Sequence, residues 1–473
     1  MCGIFGIFSK NNEAIQSAVI RQDDIISTIR LRGPDKTSIV KEHDYFVIHT
    51  LLSMTGQFRE QPVINDRFLL FYNGEIYNDF ERYHATYGDC DYLVSWFQEE
   101  GQQAFRSLDG EFALCLRLFE SDTLLLATDP FGTKPIYYQL TPSACVVGSY
   151  ESTIRACGQI GPIKQVPANT LLTISLKDFS IQDQSILRPF EFHQATKTTF
   201  DHWNNAFYQS LRKRTLSGRH RAFVGLSSGH DSGLIATELM SRRINFHAYT
   251  IPYLEDQTVL DKRLQCLRES EISYDVLIPT PDEIEPMKQF VQDFCDPFQL
   301  INQDSDFQNF SNPDMRILSG YIASALIHQK ARETGRFISL SGQGADEVFA
   351  DYYNPHSNPA MSELKGHWDQ IKGPWKNFYG GWNRVFLGAG ERIAGLFGIE
   401  TRYPFLDWAV VQEFLYLHPR LKGQYYKSPI TNRLRELDCP YHERKFGFAG
   451  YDESELDSVS VKGNDAPVLV GTR

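Results

Sequence analysis

The stretch FVGLSSGHDSGLIA, Phe223 to Ala236, starts as a β-type apolar run, crosses a Ser/Gly-rich turn and ends in a helical pattern. It places Ser227, Ser228, Gly229, His230, Asp231 and Ser232 between a predicted strand and a predicted helix. Small residues there let a ligand approach the backbone, hydroxyls and N–H groups donate to phosphate oxygens, and the helix N-terminus adds favourable partial charge. The outline is that of a pyrophosphate cradle. It lacks the G-x-x-x-x-G-K-[ST] of a Walker loop and the spacing of G-x-G-x-x-G, so neither ordinary P-loop chemistry nor a dinucleotide site is supported. On this stretch alone, a turn that merely caps a helix is an equal alternative.

The surrounding sequence shifts the balance. From Phe200 the chain alternates strand and helix: RAFVGL with a helix after Asp231, NFHAYTI with a helix near Asp261 to Arg268, YDVLIP with a helix from Pro281, and RFISLS preceded by YIASALIHQKARE. That rhythm predicts an α/β domain with a parallel sheet covered by helices. After RFISLS comes SGQGADEVFADY, with glycines at Gly342 and Gly344 and the acidic pair Asp346 and Glu347. Carboxylates at the carboxyl end of a parallel strand can hold Mg²⁺ against phosphate oxygens. Two such loops in one sheet would face each other across a nucleotide.

Up to about residue 190 the pattern is different. Short β-type runs (CGIFGIF, FLLFY, EFALCLRL, TLLLAT, CVVGS, TLLTIS) are separated by turn residues, which predicts antiparallel sheets. Helical stretches interrupt them, as in DYLVSWFQEEG, where Tyr92, Leu93, Trp96 and Phe97 share a face. This first domain reads as α+β, and the join falls near LRPFEFHQATKTT. The tail from Asp452 is acidic and Ser-rich, the composition of a frayed end.

The chain has 473 residues, and a net charge of −12 argues against a nucleic-acid partner, because phosphate-backbone binding rests on clustered Lys and Arg. Eight cysteines without a C-x-x-C pair point to reduced thiols, no structural zinc and a cytoplasmic location. Neither a membrane span nor a signal peptide is expected. Small-molecule chemistry remains.

SSGHDS resembles the S-G-G-x-D-S pyrophosphate loop of the ATP-pyrophosphatase enzymes, and SGQGADEVFADY resembles the second signature loop of asparagine synthetases. GIETRYPFLD (Gly398 to Asp407) and ERKFGF (Glu443 to Phe448) resemble two further segments of that family in order. The resemblance implies that ATP activates a carboxylate as an acyl-adenylate before an amine attacks. It assigns Asp231 and Asp346 to Mg²⁺, places Leu226, Ser227, Ser228, Gly229, Asp231, Ser232, Ser341 and Gly342 around ATP and pyrophosphate, and gives Lys445 the charge on the leaving group. These roles are electrostatic, fixed cations and N–H donors stabilising a highly anionic transition state. His230 is expected to face solvent or to pack.

MCGIFGIF, RGPD, QP, FYNGEIYN, GDCDYLV, LDGEFAL and DPFGTKPIYY together resemble the glutaminase domain of class II glutamine amidotransferases, with its N-terminal nucleophile fold. Cys2 would be that nucleophile: once Met1 is removed, its own α-amine, with a reference pKa near ~8, serves as general base. Asn73 and Gly74 would form the oxyanion site, while Glu75 and Asp89 would accept from the ammonium of a bound glutamine. An isolated N-G reads by default as a hairpin turn. The chain departs from the family at HTLLSM, where Leu51 stands at the usual position of the arginine that grips the glutamine carboxylate, and at Thr128, another usual arginine. Arg32, the expected glutamine-binding cation, or Arg59 is left for that task; otherwise the enzyme would use free ammonia.

The expectation is therefore a glutaminase domain over residues 1–190 and an asparagine synthetase-like ATP-pyrophosphatase domain over 195–473, with ammonia passing within the protein. ATP and Mg²⁺ are the implied cofactors, glutamine, ATP and a carboxylate acceptor the substrates, and a homodimer the family expectation. Aspartate is the default acceptor. The alternatives are a sugar acid or biosynthetic intermediate, or a non-catalytic nucleotide-binding protein with a decayed glutaminase.

Overall fold

The structure is a computed structural model describing residues 1–83, 88–216, 220–298, 314–350, 364 and 367–442. It divides into two compact units. The first comprises Met1–Glu191 and takes back Pro374–Glu400, a segment lying beyond the start of the second unit in the sequence.

Twelve strands of the first unit form two six-stranded sheets. They are β1 (Gly3–Ser9), β2 (Lys36–Lys41), β3 (Tyr45–Leu51), β4 (Val63–Ile64), β5 (Phe68–Ile76), β6 (Gly110–Leu118), β7 (Thr123–Thr128), β8 (Tyr137–Thr141), β9 (Ala144–Gly148), β10 (Ile163–Gln165), β11 (Thr170–Ser175) and β12 (Ser180–Ile186). One sheet has the order β10-β8-β9-β1-β3-β2 and the other β12-β11-β7-β6-β5-β4. The strand pairs within both are antiparallel, as their apolar runs predict.

Parity along the strands explains the layering. Ile4 and Phe8 of β1 meet Leu69 and Phe71 of β5 and Ala113 and Cys115 of β6 in a core between the sheets. The alternate residues face outward: Phe5 and Ile7 pack on the helices Asn12–Ile20 and Gln22–Ile29, while Leu70 and Leu114 pack on the helix Asp89–Glu100. Helices therefore cover the outer face of each sheet. Because the central strands are buried on both sides, they read as continuous apolar runs instead of alternating ones.

The returning segment joins this unit through buried charge. Glu391, on the helix Gly381–Gly395, takes Lys134 Nζ at 2.8 Å and Arg32 Nη2 at 3.4 Å. Nearby, Phe131 and Phe190 pack on Phe378, with ring centroids 5.5 and 5.3 Å apart.

The second unit is built on β13 (Arg221–Gly225), β14 (His247–Thr250), β15 (Tyr274–Val276), β16 (Arg336–Leu340) and β17 (Glu400–Arg402), in the order β15-β14-β13-β16-β17. The pairs β13–β14, β13–β16 and β14–β15 are parallel. The alternating helices fall where the sequence places them: His230–Ser241, Gln257–Glu269, Pro281–Phe294 and Ser319–Glu333. Local signals set their starts. Asp256 caps the second of these helices by accepting from Val259 N at 3.1 Å; Pro281 opens the third, and Glu283 accepts from Thr280 N at 2.8 Å.

The strand order reverses between β13 and β16. In an open parallel sheet this is where loops at the carboxyl ends part and leave a crevice for a ligand. The turn Ser227–Gly229 leaves β13 and the turn Ser341–Gly344 leaves β16, so both candidate loops sit at that point.

The GIETRYPFLD segment supports this edge. Ser341 N donates to Arg402 O at 2.9 Å, and the buried Arg402 donates through Nη1 to Arg214 O at 2.6 Å. Asp407 accepts from Arg214 Nη1 at 2.7 Å and lies 2.5 Å from Lys213 Nζ.

Candidate active sites

In the first unit, β1 begins immediately after Cys2, and the neighbouring β3 and the first turn of the Asp89–Glu100 helix complete a pocket. Its lining includes Cys2, Leu51, Thr55, Arg59, Gln61, Tyr72, Gly74, Glu75 and Asp89. Cys2, Gly74, Glu75 and Asp89, separated by up to 87 positions in the sequence, are thus brought together.

Asn73 and Gly74 are not a hairpin turn. They lie inside β5, paired with Ala113 and Phe112 of β6. Gly74 holds φ +137°, and a Cβ there would come within 2.0 Å of Glu111 O, so only glycine fits. Asn73 Oδ1 accepts from Cys2 N at 2.8 Å, which directs its Nδ2 elsewhere; that buried donor has no hydrogen-bond partner among the described residues. A buried amide donor held beside a nucleophile and left unsatisfied is what an oxyanion site requires of its resting state.

Cys2 Sγ lies 3.8 Å from Leu52 O, and burial pushes its thiol up to about 11, against the lowering effect of the terminal ammonium, here on Met1. Asp89, at the start of its helix, accepts from Thr55 Oγ1 at 3.1 Å and from Ile76 N at 3.3 Å. Gln61 Oε1 accepts from Tyr72 N at 2.8 Å and ties β5 to the preceding turn.

Arg32, expected at the glutamine, is placed elsewhere. Its Nε donates to Cys2 O at 2.9 Å, and its Nη atoms bond Tyr150 Oη and Glu391, so the guanidinium braces the nucleophile from behind and does not line the pocket. The carbonyl and carboxylate around it consume the donors that a ligand would need. Thr128 is likewise structural: its hydroxyl donates to Pro167 O at 2.6 Å.

In the second unit the two loops touch. A Cβ on Gly342 would lie 2.6 Å from Asp231 Cβ, so glycine permits the close approach. Ser227 Oγ and Ser232 Oγ are 2.8 Å apart, and Gly229 N donates to Ser227 Oγ at 3.2 Å. Leu226 N is held by Tyr249 O at 2.8 Å, while Ser228 N donates to Glu255 Oε2 at 2.6 Å. Burial raises the Glu255 carboxyl against those hydrogen bonds. Arg263 Nη1 reaches Ser227 O and, at 2.8 Å, Gly229 O, while its Nε donates to Pro440 O at 3.0 Å. Gln343 N donates to Ser341 Oγ at 3.2 Å in the second loop.

Asp231 and Asp346 converge on one cation, the ammonium of Lys427. Lys427 Nζ lies 2.7 and 2.6 Å from the two Asp231 oxygens and 3.1 Å from Asp346 Oδ1, and Tyr426 Oη adds a 2.8 Å bond to Asp346. Burial alone would lower the Lys427 pKa, but the two carboxylates outweigh it and raise the value. Two carboxylates already aimed at a shared positive charge fit Mg²⁺, which takes one or two protein carboxylates and leaves its other positions to phosphate oxygens and water. No cluster of three or more His, Cys, Asp or Glu ligands exists among the described residues.

His230 packs against Tyr426 and Tyr441, and burial, with Lys427 and Arg263 beside it, lowers its pKa to about 3. It is therefore neutral near pH 7. Lys445 and the rest of ERKFGF lie outside the described residues. Lys427, Glu255 and Arg263 were missed by sequence reading, since each reaches the loop from a helix or turn that carries no distinctive local motif.

Residues 1–206 match the glutamine amidotransferase domain family. The Met1–Glu191 part of the first unit, with its paired antiparallel sheets and its Cys2 pocket, lies within the part of the chain that this family model matches. The whole chain is a divergent relative of the glutamine-hydrolysing asparagine synthetases. It is 24% identical over 455 residues to asparagine synthetase B of Escherichia coli, covering 89% of this chain and 76% of that protein. It is 23% identical to asparagine synthetase 2 of Lotus japonicus (93% of this chain, 75% of that one) and 22% identical to asparagine synthetase 2 of Arabidopsis thaliana (93% and 76%). These relatives are named as glutamine-hydrolysing asparagine synthetases. None of the described helices is long and apolar enough to cross a membrane.

Proposed function

We propose that the chain adenylates a carboxylate with ATP and converts it to the carboxamide using ammonia released from glutamine, with aspartate as the acceptor. The single observation that carries the glutaminase half is the pocket that joins Cys2 to Glu75 and Asp89, beside Asn73 Nδ2, which has no partner among the described residues.

The domains of the reaction are 1–190 and 195–473. In the first, the freed α-amine of Cys2 takes the thiol proton, and the sulfur adds to the glutamine carboxamide. Asn73 Nδ2 and the Gly74 N–H stabilise the oxyanion, ammonia leaves, and water hydrolyses the thioester to glutamate. Glu75 and Asp89 hold the substrate ammonium. In the second, Ser227, Ser228, Gly229, Ser232, Ser341 and Gly342 with Leu226 surround the ATP phosphates, and Asp231 and Asp346 would hold Mg²⁺, which supplies charge neutralisation on the phosphates. Lys427 holds those two carboxylates in register, and Lys445 answers the charge of the leaving group. The carboxylate oxygen attacks the α-phosphorus, pyrophosphate departs, and ammonia then displaces AMP from the acyl carbon.

The substrates are small molecules; a cytoplasmic homodimer is the form in which we expect the enzyme to work. The test is ATP-dependent pyrophosphate release with glutamine across a panel of carboxylates, with mass spectrometry of the products. Pyrophosphate and asparagine formed together from aspartate support the full reading. Release with a different acid moves the acceptor and keeps the chemistry, and silence with every acid, including with ammonia in place of glutamine, rejects it.

A further inference from the structure

Glutamine carries two charged groups at one end, an ammonium and a carboxylate. The Cys2 pocket has Glu75 and Asp89 for the first, but Leu51 on β3 is an apolar wall and Arg32 is turned inward onto Cys2 O, Tyr150 and Glu391. Among the described residues that line the pocket, Arg59 is the one cationic side chain. We propose that Arg59 grips the α-carboxylate of glutamine and so determines that the pocket takes an α-amino acid amide. This inference rests on the glutaminase reading above and names the residue that gives it substrate specificity.

The charge pattern of the lining supports the assignment. Two carboxylates and one guanidinium match an ammonium and a carboxylate carried on the same substrate carbon, whereas a neutral amide without them would bring no opposite charge to any of the three. A guanidinium can meet a carboxylate with two parallel N–H donors, which fixes orientation as well as affinity.

The present partner of Arg59 does not stand in the way. Its Nε lies 3.4 Å from Asp91 Oδ1, with the two side chains 50% and 34% exposed. Such solvent-exposed pairs contribute only ~0–1 kcal/mol, so redirecting Arg59 to a substrate carboxylate costs little. Asp91, in the same first helical turn as Asp89, holds the guanidinium near the pocket in the meantime.

The test compares glutamine with 4-aminobutanamide, which is glutamine without its α-carboxylate, in glutamine-amide hydrolysis by the full-length enzyme and by Arg59→Ala. A charge-assisted carboxylate contact of ordinary strength corresponds to about a 10–100-fold preference. Wild type is expected to favour glutamine over the analogue by that factor in kcat/KM, and Arg59→Ala to erase most of the preference by raising KM for glutamine alone. Arg59→Lys should recover part of it, because one ammonium replaces a two-donor fork.

A preference that survives in Arg59→Ala, or an equal loss on both substrates, overturns the assignment, the latter because a structural defect would not distinguish them. If wild type releases no glutamate from glutamine at all, the glutaminase reading itself fails, an outcome separate from a normal wild type with an unaltered variant.

Discussion

Replacing Asn73 tests the oxyanion site most directly, because its two amide atoms have separable tasks. Oδ1 holds Cys2 N at 2.8 Å, whereas Nδ2 has no partner among the described residues and is free to donate to a developing oxyanion. Asn73→Ala removes both. Loss of one oxyanion donor raises the barrier by ~3–4 kcal/mol, which at 1.36 kcal/mol per decade is about 10²–10³-fold in kcat. The same change strands the Cys2 nitrogen, an α-amine once Met1 is removed, in a buried setting, at about 1–3 kcal/mol of stability. Asn73→Asp separates the effects: it keeps an acceptor for Cys2 N but sets an anion where the oxyanion forms. Glutaminase turnover of Asn73→Asp should therefore fall at least as far as that of Asn73→Ala, although its stability loss from the stranded nitrogen is avoided. Glutamate release at saturating glutamine, read beside a thermal melt, measures both. An Asn73→Asp enzyme within a few fold of wild-type kcat would refute the role given to Nδ2.

Blocking Met1 removal with an N-terminal extension should abolish glutaminase activity, since a thiol at about 11 leaves about one part in ten thousand as thiolate at pH 7. Intact-mass analysis and alkylation of Cys2 as a function of pH check this. Arg263→Ala releases the carbonyls of Ser227 and Gly229 and should raise KM for ATP about 10-fold with glutamine hydrolysis unchanged, a split read by steady-state kinetics. Lys427→Met leaves Asp231 and Asp346 facing each other without their shared cation, so their uncompensated charge should draw Mg²⁺ more strongly and pyrophosphate release should saturate at a lower Mg²⁺ concentration, measured by metal titration. Asp407→Asn breaks a buried pair with Arg214 and Lys213 and should destabilise the second unit by about 3–5 kcal/mol in denaturant unfolding. The Asp407 carboxyl is held below its usual range despite burial, by Lys213 and Arg214. A depressed folded-state pKa contributes stability above the unfolded value and loses it as pH falls toward the folded one, so the wild-type advantage over Asp407→Asn should shrink below about pH 4.

Much of this protein is legible without a structure. Antiparallel strands separated by turns, then strand and helix in alternation, announce two architectures, because burial on both faces or on one leaves its period in the sequence. Cys2, the N-G pair and the Ser/Gly turn before His230 are local signals, dictated by the chemistry of residues adjacent in the chain. Tertiary structure decided what depends on approach from a distance. It put Asn73 and Gly74 in the middle of a strand instead of a turn, since pairing with β6 overrides the turn preference of N-G. It turned Arg32 into a brace for Cys2 and left Arg59 at the pocket, a distinction between two arginines that differ only in which partners surround them. It also brought Lys427, 196 positions from Asp231, between the two loop carboxylates. Charge recognition acts over a few ångströms in space and is indifferent to separation along the chain, so these partners became visible only when the chain was folded.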